Sequence, residues 1–223
     1  MSALWVRGLP TSGFLRYTEW MNVVAGILET VVATPVSRAA DGLARRAFTV
    51  ADLEKMVEVG LVDPDERLEL IGGEIVPMSP KGNRHEAIKG GINIAWGRAC
   101  PDDFMFMPET GVTLSTTTYL EPDFIVFSRE RPLAEIRGPD VLLAVEVADS
   151  SLDYDLGRKP LIYAEHGVRE LWVVNAAART VRVHIKPGPG GYAFVREYGA
   201  SDRLEPTAAP IALAFALDDL RAV

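Results

Sequence analysis

The run Val141-Leu-Leu-Ala-Val-Glu146-Val-Ala148 poses the strongest constraint on how this chain folds. It has the near-continuous apolar character of a central strand covered on both faces. A carboxylate in such a strand costs several kcal/mol unless it is paired or binds a metal. A second apolar run, Asp123-Phe-Ile-Val-Phe127, begins with another carboxylate after Glu121-Pro122. The two runs read as successive strands, and adjacent pairing would bring Asp123 and Glu146 to one position in the sheet. Two carboxylates held close together repel each other and need a cation or a shared proton. Mg²⁺ suits oxygen ligands of this kind and keeps waters for exchange with substrate. The plainer alternative is an arginine partner for Glu146, or a place near an exposed sheet end.

The surrounding sequence reads as α/β. Thr49 caps a short helix to about Val59, with Asp52 and Glu54 in its first turn and Gly60 at its end. Arg67–Met78 reads as two short strands around Gly72-Gly73, a hairpin signal. Ile88, Ile92 and Trp96 recur at helical spacing within Asn83–Ala99, which Gly90-Gly91 weakens. Strands follow at Phe104–Met107 and Gly111–Leu114, and then come the two carboxylate-bearing strands. A helix from about Asp155 to His166 leads into a strand at Glu170–Asn175. The tail gives Val181–Ile185, a turn at Pro187–Gly191, and Tyr192–Tyr198. Helix, four strands, helix, strand is the order of a mixed sheet with helices on its faces, α/β or α+β in class. Residues 1–46 carry no clear period and read as an N-terminal extension, partly helical around Thr18–Val32. The domain proper is expected over residues 47–223.

Several function classes fall away on composition. The single cysteine, Cys100, allows no intramolecular disulfide, and a cytoplasmic protein is expected. The apolar stretch Met21–Ala33 is interrupted by Glu29 and is shorter than a membrane span, so neither a membrane anchor nor a signal peptide is expected. His85, His166 and His184 lack zinc-ligand spacing, and no Gly-rich phosphate loop leads into Lys-Ser or Lys-Thr. The net charge of −8 argues against a tight grip on duplex DNA, because proteins that hold many phosphates are usually basic on one face. A bound divalent cation would restore positive charge locally.

Lys159 follows Glu146 in the run Asp155-Leu-Gly-Arg-Lys159-Pro-Leu-Ile-Tyr163, and four-residue spacing puts Tyr163 on its helix face. A lysine beside a metal-activated water orients it and stabilises charge developing on a phosphate. A solvated surface lysine is the usual alternative. His85, at the start of its helix, is either a base or phosphate contact or a surface residue. Glu69 and Glu74 flank the first hairpin turn as further candidate ligands, although exposed carboxylates are common there.

Glu69-Leu-Ile-Gly-Gly-Glu74-Ile, Met78-Ser-Pro80, His85, Pro122-Asp123, Val145-Glu146-Val147, Tyr154-Asp155 with Lys159 and Tyr163, and Gly167-Val-Arg-Glu-Leu-Trp-Val-Val174 occur in this order. Together they resemble the Uma-two family of restriction endonucleases, within the PD-(D/E)XK nuclease superfamily. Each motif is short; the ordered set, from about Phe48 onward, is fairly specific. The resemblance implies a restriction-endonuclease-like mixed sheet flanked by helices. It also implies Mg²⁺- or Mn²⁺-dependent hydrolysis of phosphodiester bonds in nucleic acid, with DNA the expected partner and a bacterial setting. Asp123 matches the motif aspartate and Glu146 the second acid, and with Val147 these are the implied metal ligands. Ala148 stands where the superfamily pattern places lysine, and Lys159 matches the family's placement of that residue on the following helix. Asp123, Glu146 and Lys159 are therefore the implied catalytic residues, with Glu69, Glu74, His85 and Tyr163 as accessory candidates. Pro160 disfavours helical geometry at Lys159, so the helix either enters there or starts earlier and kinks.

The competing expectation is a catalytically silent module on the same fold, binding nucleic acid or protein, which the acidic charge favours. A homodimer is expected only from function, since two sites would cut both strands, with the C-terminal strands as interface.

Overall fold

Thr49 fixes the start of α1 (Val50–Glu58) through a reciprocal capping box. Its hydroxyl accepts from the Asp52 amide at 3.1 Å, and the Asp52 carboxylate accepts from the Thr49 amide at 2.9 Å. The structure, a computed structural model, describes residues 36–38, 44–149 and 151–220. The helix expected around Thr18–Val32 lies outside the described residues, as does most of the 1–46 extension. Within that extension β1 (Val36–Arg38) pairs antiparallel with β2 (Ala44–Arg46).

The Gly72-Gly73 hairpin joins β3 (Leu68–Ile71) to β4 (Glu74–Pro77), with both glycines at positive φ. A Cβ on Gly73 would lie 2.3 Å from the Ala47 Cβ, so this turn needs glycine for space as well as for backbone freedom. Next come α2 (Asn83–Ala99), β5 (Phe104–Pro108), β6 (Val112–Ser115), β7 (Thr118–Leu120) and β8 (Phe124–Ser128). The chain continues through β9 (Leu143–Ala148), α3 (Leu152–Glu165), β10 (Glu170–Asn175), β11 (Thr180–Gly188) and β12 (Gly191–Tyr198).

A six-stranded sheet runs in the order β12-β11-β10-β9-β8-β5, parallel only between β9 and β10. A four-stranded antiparallel sheet runs β4-β3-β7-β6. The mixed α/β expectation holds, but it undercounted the sheets, because the three-residue β7 follows directly on the polar stretch Ser115–Thr117 and reads as loop. Its Leu120 is nonetheless fully buried.

Every residue of β9 is buried, as its apolar run requires. Ile88, Ile92 and Trp96 of α2 pack on the face carrying Leu143, Val145 and Val147. Ile162 and Tyr163 of α3 pack on the opposite face with Ala144 and Ala148. The parallel step from β9 to β10 requires a crossover, and α3 supplies it. This helix begins three residues earlier than expected and contains Pro160. The Tyr154 and Asp155 amides both bond the Ser151 carbonyl, and the Ser151 hydroxyl donates to the Asp155 carboxylate, which fixes the turn ahead of Asp155.

Glu170, at the start of β10, is fully buried, and among the described residues no cation pairs with it. Trp172 Nε1 donates to its Oε1 at 2.7 Å, and the Thr207 amide (2.7 Å), Thr207 hydroxyl (2.8 Å) and Ala208 amide (3.0 Å) donate to its Oε2. The segment it pins supplies Leu204, Leu213, Phe215 and Leu217 to the α2-side core. Truncating this carboxylate strands four donors; the buried Trp172 indole left unpaired costs about 1–3 kcal/mol, and the donors of exposed Thr207 and half-buried Ala208 cost less each. We expect Glu170→Ala to lower the unfolding free energy by about 3 kcal/mol or more in urea titration. A loss under about 0.5 kcal/mol, the range of ordinary surface changes, would refute the pin.

Candidate active site

Phe124 pairs with Val145 where β8 meets β9, so one further step in that antiparallel register sets Asp123 level with Glu146. Strand alternation then puts both carboxylates on the α3 face, with Ile125, Phe127, Ala144 and Ala148. Both are buried. Position 123 lies just ahead of β8, and position 146 lies inside β9.

Lys159 reaches down from α3 onto this end of the sheet and is 4% exposed. Its Nζ lies 3.0 Å from Glu146 Oε1, 3.0 Å from Glu69 Oε1 and 3.5 Å from Asp155 Oδ1. One turn on, the Tyr163 hydroxyl donates to Glu146 Oε1 at 2.6 Å. Tyr154 donates to the far oxygen of Glu69 at 3.3 Å. One ammonium thus serves three buried carboxyl groups, brought from β3, β9 and α3.

Asp123 has a separate set of partners. Its Oδ2 accepts from the Val147 amide at 2.7 Å. Its Oδ1 faces Lys81 Nζ at 2.8 Å and His85 Nε2 at 2.9 Å. His85 sits in the first turn of α2, and Lys81 lies on the segment joining β4 to that helix. Lys81 also bonds Glu109 Oε1 at 2.5 Å, an oxygen it shares with Lys89 at 3.0 Å.

Most of these groups, though not Tyr163, Glu109 or Lys89, line one cleft of about 360 Å³, whose walls carry seven acidic side chains against Lys81, Lys159 and His85. Among the described residues no group of three or more His, Cys, Asp or Glu side chains is set as a ready-made metal cluster.

The sequence matches the Uma2 family, described as "Putative restriction endonuclease", over residues 50–218. The chain belongs to the Uma2 family. A solved structure described as a "putative nuclease" from Anabaena variabilis matches with a TM-score of 0.55 at 19% identity, covering 78% of this chain and 97% of that one. At that identity the match shows likeness of fold alone, a mixed α/β architecture. No curated protein matches the chain. Among the described residues no helix is long and apolar enough to cross a membrane.

Of the residues singled out from sequence in this Uma2 chain, Asp123, Glu146, Val147, Lys159, Glu69 and His85 line the cleft. Tyr163 touches it through Glu146. Glu74 does not line it: it opens β4 beside the turn, opposite Ile71, two pairs along the hairpin from Glu69 and Val76. Lys81, Tyr154 and Asp155 also line the cleft; Tyr154 and Asp155 stood in the family motif without a site role, and Lys81 in no motif. Asp155 carried a usable signal, since it stands four residues before Lys159 on one helix face. Lys81 carried none, because its segment has no period.

Burial pushes the Glu146 carboxyl up to about 8; Lys159 pulls it down, and Asp155, Asp123 and Glu69 push it further up. Burial works against the Lys159 ammonium, but Glu146, Glu69 and Asp155 hold its pKa well above the ordinary lysine value. Both directions follow from the charge count, in which the lysine stays cationic and one carboxyl keeps a proton. Burial also pushes Asp123 up, yet His85 and Lys81 outweigh it and hold the group at about 2. Because Glu146 titrates near 4.5 unfolded and about 8 folded, the folded state binds the extra proton between those values, and stability declines as pH rises across them. Asp123 has the opposite sign: its contribution is present above 3.8 and is lost as pH falls toward 2. Thermal melts of the metal-free protein should show Tm falling from pH 5 to pH 8, and Glu146→Gln should flatten that slope. An unchanged slope in the variant would remove Glu146 as its source.

Proposed function

We propose that this Uma2 chain is a Mg²⁺- or Mn²⁺-dependent nuclease that hydrolyses phosphodiester bonds, with DNA as its substrate. The observation carrying this reading is the strand register that sets Asp123 level with Glu146, with Val147 beside them, in one acidic cleft. Hard oxygen donors suit Mg²⁺, which binds through one or two carboxylates and leaves its other positions to water and phosphate. Seven acids against two lysines also leave the cleft short of positive charge, which a divalent cation would supply. Asp123, Glu146 and the Val147 carbonyl are the groups that would hold it. Its chemistry there is to polarise a phosphoryl oxygen and make a nucleophile available at neutral pH.

The protein's own contribution is positional. The Val147 amide fixes one oxygen of Asp123, which helps that carboxylate keep its aim before a metal ion binds. Lys159 and Tyr163 both hold Glu146 Oε1, which leaves Oε2 as the oxygen free to turn toward a ligand. Lys159 also draws Glu69 and Asp155 to the same point, so it positions the acid pair and supplies positive charge beneath a transferring phosphate. Cutting both strands of a duplex would take two such sites, and a homodimer is the simplest way to supply them.

The test is cleavage of plasmid DNA, single-stranded DNA and RNA in Mg²⁺ or Mn²⁺ by wild type, Asp123→Asn and Glu146→Gln. Each substitution should slow cleavage by about 100-fold or more, beyond the ~10–100-fold typical of residues that only support a ligand. Wild-type cation binding with no cleavage of any substrate would transfer the chain to the alternative, a silent module on the same fold.

A further inference from the structure

The oxygen of Asp123 that faces the cleft already has a cation. Lys81 Nζ stands 2.8 Å from Oδ1 and His85 Nε2 2.9 Å from it, and a metal ion held by that oxygen would compete with the ammonium. Lys81 and Lys89 share Glu109 Oε1 on a carboxylate 42% exposed, but on Asp123, whose side chain is 6% exposed, an ammonium and a divalent ion would repel each other far more strongly. The two partners are unequally fixed. Asp123 is tied by its side chain to the Val147 amide, and its carbonyl accepts from the Glu109 amide at 3.1 Å. Lys81 belongs to a segment outside helix and strand, and its side chain is 14% exposed against 4% for Lys159. Lys159 is bound to three carboxylates, whereas Lys81 has a second anchor at the cleft rim, Glu109, whose side chain is 42% exposed. When the pair separates, Lys81 is therefore the member that moves.

We propose that Lys81 occupies the cation position at Asp123 in the metal-free protein, yields it to the metal ion, and then contacts the substrate phosphate. The inference rests on the metal-dependent nuclease reading and adds a residue to it. Lys81 has the reach, the exposure and the second anchor that this exchange requires. Lys159, held on α3 by three buried carboxyl groups and 4% exposed, has neither that exposure nor an anchor at the rim.

The experiment is a pair of titrations on wild type, Lys81→Met, Lys81→Gln and Lys81→Arg. One follows Mn²⁺ binding by calorimetry. The other follows binding of a short DNA duplex by fluorescence anisotropy in Ca²⁺. Lys81→Met and Lys81→Gln should bind Mn²⁺ several-fold more tightly than wild type and bind the duplex several-fold more weakly, while Lys81→Arg stays near wild type in both. Lys81→Gln keeps a neutral donor for Asp123 and guards against misfolding of the methionine variant. Opposite signs in the two titrations are the expected result, because a merely structural lysine would move both in the same direction or neither. Mn²⁺ binding in wild type with equal or weaker binding in both neutral variants would overturn this role and leave the nuclease reading standing. Absence of Mn²⁺ binding in wild type and variants alike would overturn both.

Discussion

Lys159 meets Glu146, Glu69 and Asp155 where all four side chains are almost wholly buried, and this contact sets the terms for the rest of the candidate site. Taking such charges out of water costs several kcal/mol per ion, so the cluster is retained at a cost to stability rather than as a source of it. Its position follows from topology. The β9–β10 pair is the parallel step in the six-stranded sheet, a parallel step demands a crossover, and the crossover helix carries Lys159 and Tyr163 over β9. An antiparallel continuation through a tight turn would leave Glu146 with no partner from above. The apolar strand and its misplaced acid are thus tolerable only because of the helix that follows them.

The same reasoning shows what the sequence discloses. An acid inside an apolar run is legible because strands have a strong period and burial makes the exception costly, so Glu146 stood out unaided. Asp123 was legible because successive strands pair, and the observed register sets it level with Glu146. Family resemblance brought Val147 and the helical placement of Lys159. What stayed hidden lies where no period operates. Lys81 sits on a short irregular segment, and Glu170 looked like an ordinary strand start although its partners come from residues 207 and 208, far along the chain. Glu74 shows the opposite failure. It shares its hairpin with Glu69 and matches it in type, but a distance of two residue pairs along the ladder keeps it from the cleft.

Net charge of −8 looks adverse for a nucleic-acid enzyme, yet much of the difficulty concentrates in one place. The cleft gathers seven acids, and its lysines are already committed to them. A phosphate approaching the metal-free cleft meets carboxylates before it meets any free cation. On the nuclease reading, cation and substrate must therefore help each other bind, and linkage makes that help equal in both directions. The cation removes the repulsion that keeps phosphate out. Phosphate in turn supplies ligands that two carboxylates and a carbonyl leave unfilled, consistent with the lack of a ready-made three-residue cluster among the described residues. On that reading, an acidic cleft of this kind would hold nucleic acid weakly by itself and make tight binding conditional on the cation.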